Sequence, residues 1–257
     1  MRRQLAGLLL VVIATACGSD SSVAPNDSGD QNTSHATLEQ ALSELTLPVL
    51  AAAGGSVTTT IPVGLALGTG RCAYTAASQS FVCPPATASG VTIKQSFTLL
   101  TASGAKQSAF DHSTTASVKA NTSVAGTIVE DGATLTIDSQ QELTLSGLLA
   151  GPHALDGTST TRLSGTFFGD APIDVQITGS ISSLVLPPNT AVGAQVWPTA
   201  GTIVVASSGT FADLPPFTSR LTLTFNGTST VTLTITENGF SQTCQHDLAK
   251  PGLPACA

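Results

Sequence analysis

The last third of the chain alternates aliphatic residues with threonine at a period of two. One run places Leu221, Leu223 and Phe225 on one side of the backbone and Thr222 and Thr224 on the other. Successive side chains of a β-strand point to opposite faces, whereas one helix face needs a period of about 3.6. The pattern therefore predicts half-buried strands, with an aliphatic face toward a core and a hydroxyl face toward water.

The same alternation recurs upstream, and Gly, Asn or Asp separates the runs. The upstream runs are Leu135-Thr136-Ile137, Leu143-Thr144-Leu145, residues 173–186 and residues 202–206. Strands at such regular spacing favour an antiparallel meander that forms a barrel or a sandwich. We predict an all-β fold, and the pattern leaves barrel and sandwich as alternatives.

The loop after Phe225 sets the register of the last hairpins. A two-residue turn at 226–227 would place Leu223 opposite Thr230, and a buried face forbids an apolar row opposite a polar one. We therefore predict a loop of odd length at 226–228, which places Leu223 opposite Val231.

Two further turns are predicted to keep apolar residues opposite each other. An even turn at 131–132 pairs Ile128 with Leu135. An even turn after Ile235 keeps that residue on the same face as Cys244, so we expect Cys244 near the core.

One short helix is predicted at the start of the domain. Thr37 can cap it, with Gln40 reaching back in a capping box, and Pro48 limits it. Apolar residues recur at i, i+3, i+4 and i+7, at Leu38, Ala41, Leu42 and Leu45. We expect the helix to pack on the sheet, because it lacks the Lys and Arg face of membrane-surface helices.

The first sixteen residues have the pattern of an export signal. Arg2 and Arg3 give a positive start, residues 5–15 are mainly apolar, and small residues precede Cys17. The apolar run is shorter than the ~20 residues of a transmembrane helix. We predict that residues 1–16 are a signal peptide.

Residues 14–17 (Ala-Thr-Ala-Cys) resemble a bacterial lipobox. The resemblance implies cleavage before Cys17, diacylation of its thiol and anchoring of a bacterial lipoprotein to the membrane. By the same resemblance, the absence of Asp after Cys17 implies sorting to the outer membrane. Lipoboxes more often carry Leu in place of Ala14, and Ala-x-Ala also suits the ordinary signal peptidase, so a soluble secreted protein is the alternative.

The rest of the chain divides into a tether and one domain. Residues 17–36 are rich in Ser, Asp, Asn and Gly without an apolar period, which predicts a disordered tether with an r.m.s. span of about 24 Å. Residues 37–257 show no internal linker and are predicted to form a single β domain.

Four cysteines besides Cys17 form two local pairs in the sequence, Cys72 with Cys83 and Cys244 with Cys256. Two disulfides of this kind would leave Cys17 for lipidation, although four cysteines allow three connectivities. Disulfides also imply an exported, oxidising compartment. The spacing does not match a zinc motif, and we predict neither a metal nor a cofactor.

Charge excludes one class of partner. The net charge is −7, and the nine Lys and Arg residues form no cluster, which argues against binding to nucleic acid. Only 10% of the residues are charged, against about 25% in ordinary soluble domains. Hydroxyl groups must therefore supply much of the solubility.

No catalytic motif appears in the sequence. Asp111-His112 and His246-Asp247 are adjacent in sequence, but catalysis needs proximity in space. The paired carboxylates at 130–131 fall at a predicted turn. We assign no catalytic residue to these positions or to His153.

Three classes of function remain open. The first is a lipid-anchored envelope module that binds a protein, a polysaccharide or another envelope component. The second is a carrier of an apolar ligand, similar to lipoprotein-sorting proteins that combine a tether, a helix and an open barrel. The third is an envelope hydrolase, which would need at least two of His112, His153 and His246 to converge with carboxylates. The scarcity of Trp and Tyr, with one of each, weighs against stacking on sugars.

Mass spectrometry of the mature N-terminus tests the anchor. We expect the mature chain to begin at Cys17 and to carry a thioether-linked diacylglycerol. A mature chain with an unmodified Cys17 thiol would contradict lipid anchoring.

Overall fold

The computed structural model describes residues 72–88, 90–130, 132–167, 171–186, 197–212 and 214–248. Regular structure in these ranges consists of β-strands, which confirms the all-β class. The strands are Ala73–Thr75 (β1), Ser80–Val82 (β2), Ala86–Ala88 (β3), Val91–Thr101 (β4), Lys106–Gln107 (β5), Thr115–Glu130 (β6), Ala133–Ser146 (β7), His153–Phe167 (β8), Ala171–Leu186 (β9), Ala200–Phe211 (β10), Phe217–Thr224 (β11), Thr230–Glu237 (β12) and Phe240–Asp247 (β13). The predicted signal peptide, tether and helix lie outside the described residues.

The thirteen strands form one antiparallel sheet. Its order is β1-β2-β4-β6-β7-β8-β9-β10-β11-β12-β13, and β3 and β5 both pair with β4. From β6 onward each strand pairs with the next strand of the chain, as in the predicted meander. This connectivity places the hairpins β6–β7, β8–β9, β10–β11 and β12–β13 at one end of the sheet.

The register keeps aliphatic residues opposite each other on one face, which we call the inner face. Ile128 pairs with Leu135, as predicted from the turn. Leu233 pairs with Cys244, and Cys244 packs against the core. The even turns therefore have the predicted register.

The predicted register of β11 with β12 is wrong by two residues. Leu223 pairs with Leu233 rather than with Val231, so the connecting loop covers 225–229. Phe225 remains buried, and Asn226 Oδ1 accepts bonds from the N–H and Oγ1 of Thr228 at 3.1 and 2.8 Å. This closed turn, together with the burial of Phe225, lengthens the loop by two residues. The loop stays odd, so apolar residues still face each other.

The sheet coils so that β4, in its first half, and β12, near its end, share a core. One buried cluster joins residues from most of the sheet, including Phe97 on β4, Leu155 on β8 and Val231 on β12. A second cluster joins Leu135 and Val175 with other residues of β6 to β11. Among the described strands, β1 and β13 each pair with one neighbour, so hydrogen bonds do not close the sheet.

Glycines on the inner face allow this coiling. Gly165 lies opposite Leu135 and Ile173, and a Cβ at Gly165 would overlap the carbonyl oxygen of Thr134. Glycine in a strand marks close approach of neighbouring backbones. Backbone atoms of Thr134 and Leu135 occupy the space where a Cβ of residue 165 would lie.

A polar band separates the two clusters on the inner face. Thr122 and Thr161 are buried in this band, and Thr161 Oγ1 lies 2.8 Å from Ser139 Oγ on the neighbouring strand. The hydroxyl pair satisfies two polar groups that would otherwise be costly to bury.

Replacing Leu155 tests the position of the core. Leu155 is 1% exposed, so Leu155→Ala should lower the free energy of unfolding by about 3 kcal/mol, measured by urea denaturation. Leu149 is 40% exposed in the preceding β7–β8 loop, and Leu149→Ala should cost less than about 1 kcal/mol. Equal losses for the two variants would contradict the assigned core.

Candidate functional site

The sheet face opposite the core carries rows of threonine and serine across β9 to β13, and we call it the outer face. Thr222 pairs with Thr234, and Thr234 pairs with Thr243, so three neighbouring strands present threonine in one row. Because the strand period is two, burial of the aliphatic residues forces these hydroxyl groups outward.

Several of these hydroxyl groups bond to each other across β12 and β13. Thr234 Oγ1 lies 2.9 Å from Thr243 Oγ1, and Gln245 Nε2 donates to Thr232 Oγ1 at 3.1 Å. Such cross-strand pairs stabilise the hairpin by a few tenths of a kcal/mol to about 1 kcal/mol each. They also occupy hydroxyl groups that could otherwise bind a ligand.

Charged groups on this side of the sheet are mostly paired. Arg162 donates to both carboxylate oxygens of Asp174, at 3.1 and 3.0 Å. The hydrogen bond from Arg162 holds the pKa of Asp174 below its usual value. Lys119 Nζ lies 2.9 Å from Glu142 Oε1 on the neighbouring strand.

Two shallow grooves open on the outer side of the sheet. The first, of about 340 Å³, has Ala206 at its centre and is walled by β9, β11 and β12; we call it the Ala206 groove. Its lining residues are Gln176, Thr178, Ala206, Ser207, Ser208, Thr218, Ser219, Arg220 and Thr236. Most of these residues have polar side chains, although carbon atoms make up the larger part of the exposed lining.

The second groove, of about 300 Å³, lies beside Asp156 and is also largely polar. Here β9 bulges against β8, between the pairs Leu155–Leu184 and Gly157–Ile181. Asp156 Oδ1 accepts a 2.7 Å bond from the N–H of Ser183, whose φ is 47°. This carboxylate therefore supports the bulge.

The two grooves are neighbours along β9. Gln176 and Thr178 line the first, and Ser180 and Ser182 occupy the next outward positions in the second. Both depressions are thus open to solvent and are lined mostly by residues with polar side chains.

Cys72 and Cys83 form the predicted disulfide. Cys244 is also disulfide-bonded, and the first bridge leaves only Cys17 or Cys256 as its partner. Both of these cysteines lie outside the described residues. The pairing of Cys244 with Cys256 and the lipidation of Cys17 therefore stay predictions.

The three histidines considered for catalysis lie on separate elements. His112 is exposed in the β5–β6 loop, with its ring 4.9 Å from that of Phe110. His153 begins β8, and His246 lies near the end of β13. The buried His153 Nδ1 and His246 Nε2 have no hydrogen-bond partner among the described residues, so neither atom is paired with a described carboxylate or nucleophile.

Of the acidic residues considered for catalysis, Asp111 has a structural role and the side chains at 130–131 are not described. The Oγ and N–H of Ser113 donate to Asp111 Oδ1 at 2.7 and 2.8 Å, and these bonds lower the Asp111 pKa. The side chains at 130–131 lie outside the described set. Within the described ranges, no group of three or more His, Cys, Asp or Glu is placed to hold a metal ion.

Sequence reasoning missed both grooves. The available signal was Ala206, a small residue among outward threonines, together with Arg220 in a row that otherwise lacks charge. Neither an alanine nor an arginine indicates a groove by itself. The groove becomes evident only when the strand register places Ala206 and Arg220 side by side.

Comparisons with protein-family models, with curated proteins and with solved structures find no match. The described residues contain no helix that is long and apolar enough to cross a membrane.

Replacing the Cys72–Cys83 pair tests the contribution of the disulfide. Cys72→Ala, Cys83→Ala and the double variant should each lower the free energy of unfolding by about 3 kcal/mol, because any of them opens the same loop. Urea denaturation under oxidising conditions measures the three losses. Additive losses in the two single variants would show that packing, rather than loop closure, accounts for the effect.

Proposed function

We propose that the protein is a lipid-anchored module of the bacterial cell envelope that binds an envelope component through its outer face. Cys17 carries the lipid, residues 17–36 form the tether, and the outer membrane holds the anchor. The Cys72–Cys83 disulfide supports an exported location, since such bonds persist in oxidising compartments.

The position of the grooves is the observation that carries the binding role. Both grooves open on the outer side of the sheet and are lined mainly by hydroxyl, amide and charged side chains. Binding sites are commonly concave surfaces with a few convergent polar groups. A surface of this kind favours a hydrophilic partner outside the domain.

The same observation counts against a carrier of apolar ligands. Such a carrier needs an apolar cavity of several hundred Å³, whereas the aliphatic rows of the described inner face pack into two buried clusters. The separation of His112, His153 and His246 on different elements gives no support to a hydrolase.

A bulky residue in the groove tests the binding role. Ala206→Tyr fills the floor of the Ala206 groove from an outward position and should abolish capture of the partner from solubilised envelope. Thr160→Tyr is the matched control, because Thr160 faces outward in the same row but lines neither groove. Quantitative mass spectrometry of the captured material compares both variants with the wild type.

Retention of the same envelope components by the Ala206→Tyr and Thr160→Tyr variants would exclude the groove as the binding site. Equal melting temperatures for the two variants establish that a loss of capture does not come from unfolding.

A further inference from the structure

Arg220 is the single charged residue at the outward positions of β10, β11 and β12. Its guanidinium makes no ion pair or hydrogen bond with another described residue. Arg162, also on the outer face, is held instead by two bonds from its guanidinium to Asp174. The donors of Arg220 are therefore available to a ligand, while those of Arg162 are already occupied.

The register places Arg220 at the edge of a hollow. Ala206, on β10, lies directly opposite Arg220 on β11. On its other side, Ala206 lies directly opposite Thr178 on β9. Directly opposed residues have Cβ atoms about 5 Å apart, so the small Ala206 leaves a gap between two larger side chains. The gap is the floor of the Ala206 groove.

Other unoccupied donors surround this gap. Gln176 and Ser208 are directly opposed in the next outward row, about 7 Å along the strands. The side chains of Gln176, Thr178 and Ser208 make no hydrogen bond with another described residue, in contrast to the bonded threonines of β12 and β13. The groove thus combines one guanidinium with hydroxyl and amide groups that can bind a ligand.

The charges around the groove favour a ligand with one negative group. No Asp or Glu is among the described residues that line the groove, so no described carboxylate there neutralises Arg220 or attracts a cation. A guanidinium binds a carboxylate through two parallel hydrogen bonds. The net charge of −7 opposes the approach of a polyanion, which favours a ligand with a single negative group on a neutral body.

The surface chemistry favours a peptide over a sugar acid. The outward positions of β9 to β13 carry no aromatic residue on which a sugar ring could stack. Hydroxyl and amide side chains can donate to and accept from the amide groups of a peptide. The groove crosses from β9 to β12, about 14 Å, which is the length of about four extended residues.

We propose that the Ala206 groove binds the C-terminal carboxylate of an extended peptide, with Arg220 as the residue that pairs with the carboxylate. This proposal rests on the proposed function, since it specifies the ligand chemistry of the same face. Gln176, Thr178 and Ser208 bind the preceding amide groups.

Calorimetric titration of the mature, detergent-solubilised protein tests the proposal. The probes are N-acetyl-trialanine, its C-terminal amide and trigalacturonate. We expect the free acid to bind with a Kd on the order of 1 mM and the amide to show no binding. Arg220→Gln should weaken binding of the acid at least tenfold, because a charge-assisted bidentate contact is lost. Arg162→Gln is the matched control and should leave the affinity unchanged.

Three results would overturn the proposal. They are equal affinity for the acid and the amide, unchanged affinity in Arg220→Gln, and binding of trigalacturonate in preference to the peptide acid. The last result would assign the groove to a sugar acid.

The proposed envelope-binding function has a separate readout. If Ala206→Tyr abolishes capture of the envelope partner while Arg220→Gln does not, the result supports binding through the outer face and contradicts the carboxylate site at Arg220. If neither variant alters capture, the proposed function itself fails.

Discussion

Cross-strand pairing of aliphatic residues on the inner face is the constraint on which the rest of the structure depends. A shift of one residue in any hairpin would turn aliphatic side chains to water and hydroxyl groups to the core. The odd loop after Phe225 and the even turn after Ile235 both preserve this pairing. Inner glycines such as Gly165 then allow the paired strands to coil around a common core.

The outer face follows from the same constraint. With few charged residues, the chain depends on threonine and serine at the positions that burial leaves outside. Where these hydroxyl groups bond to each other, as between Thr234 and Thr243, they stabilise the sheet. Of the hydroxyl groups around Ala206, that of Thr236 donates to Ser241 Oγ at 3.1 Å, whereas those of Thr178 and Ser208 and the guanidinium of Arg220 make no hydrogen bond with another described residue. The stabilising hydroxyl pairs and the proposed binding site thus occupy different parts of one surface.

With the turn at 131–132, the period of two was sufficient to predict β7 and β9 to β12, an antiparallel meander and the pairing of Ile128 with Leu135, but not β1 to β5 or β8. It could not predict the exact register of β11 with β12, because the Asn226 turn and the buried Phe225 lengthen the loop without changing its parity. The pattern also could not predict the Ala206 groove, because the groove is formed by residues that lie side by side on neighbouring strands. Local sequence determines which face a residue occupies, whereas a groove depends on the neighbours that register brings beside it.

Site-specific photocrosslinking in living cells tests the central claim that the outer groove meets an envelope partner. A photoreactive amino acid at position 208 lies in the Ala206 groove, whereas one at position 134 faces outward on β7, away from both grooves. We predict a defined adduct from position 208 and none from position 134. Adducts from position 134 alone, or from neither position while the protein is present in the envelope, would contradict the claim.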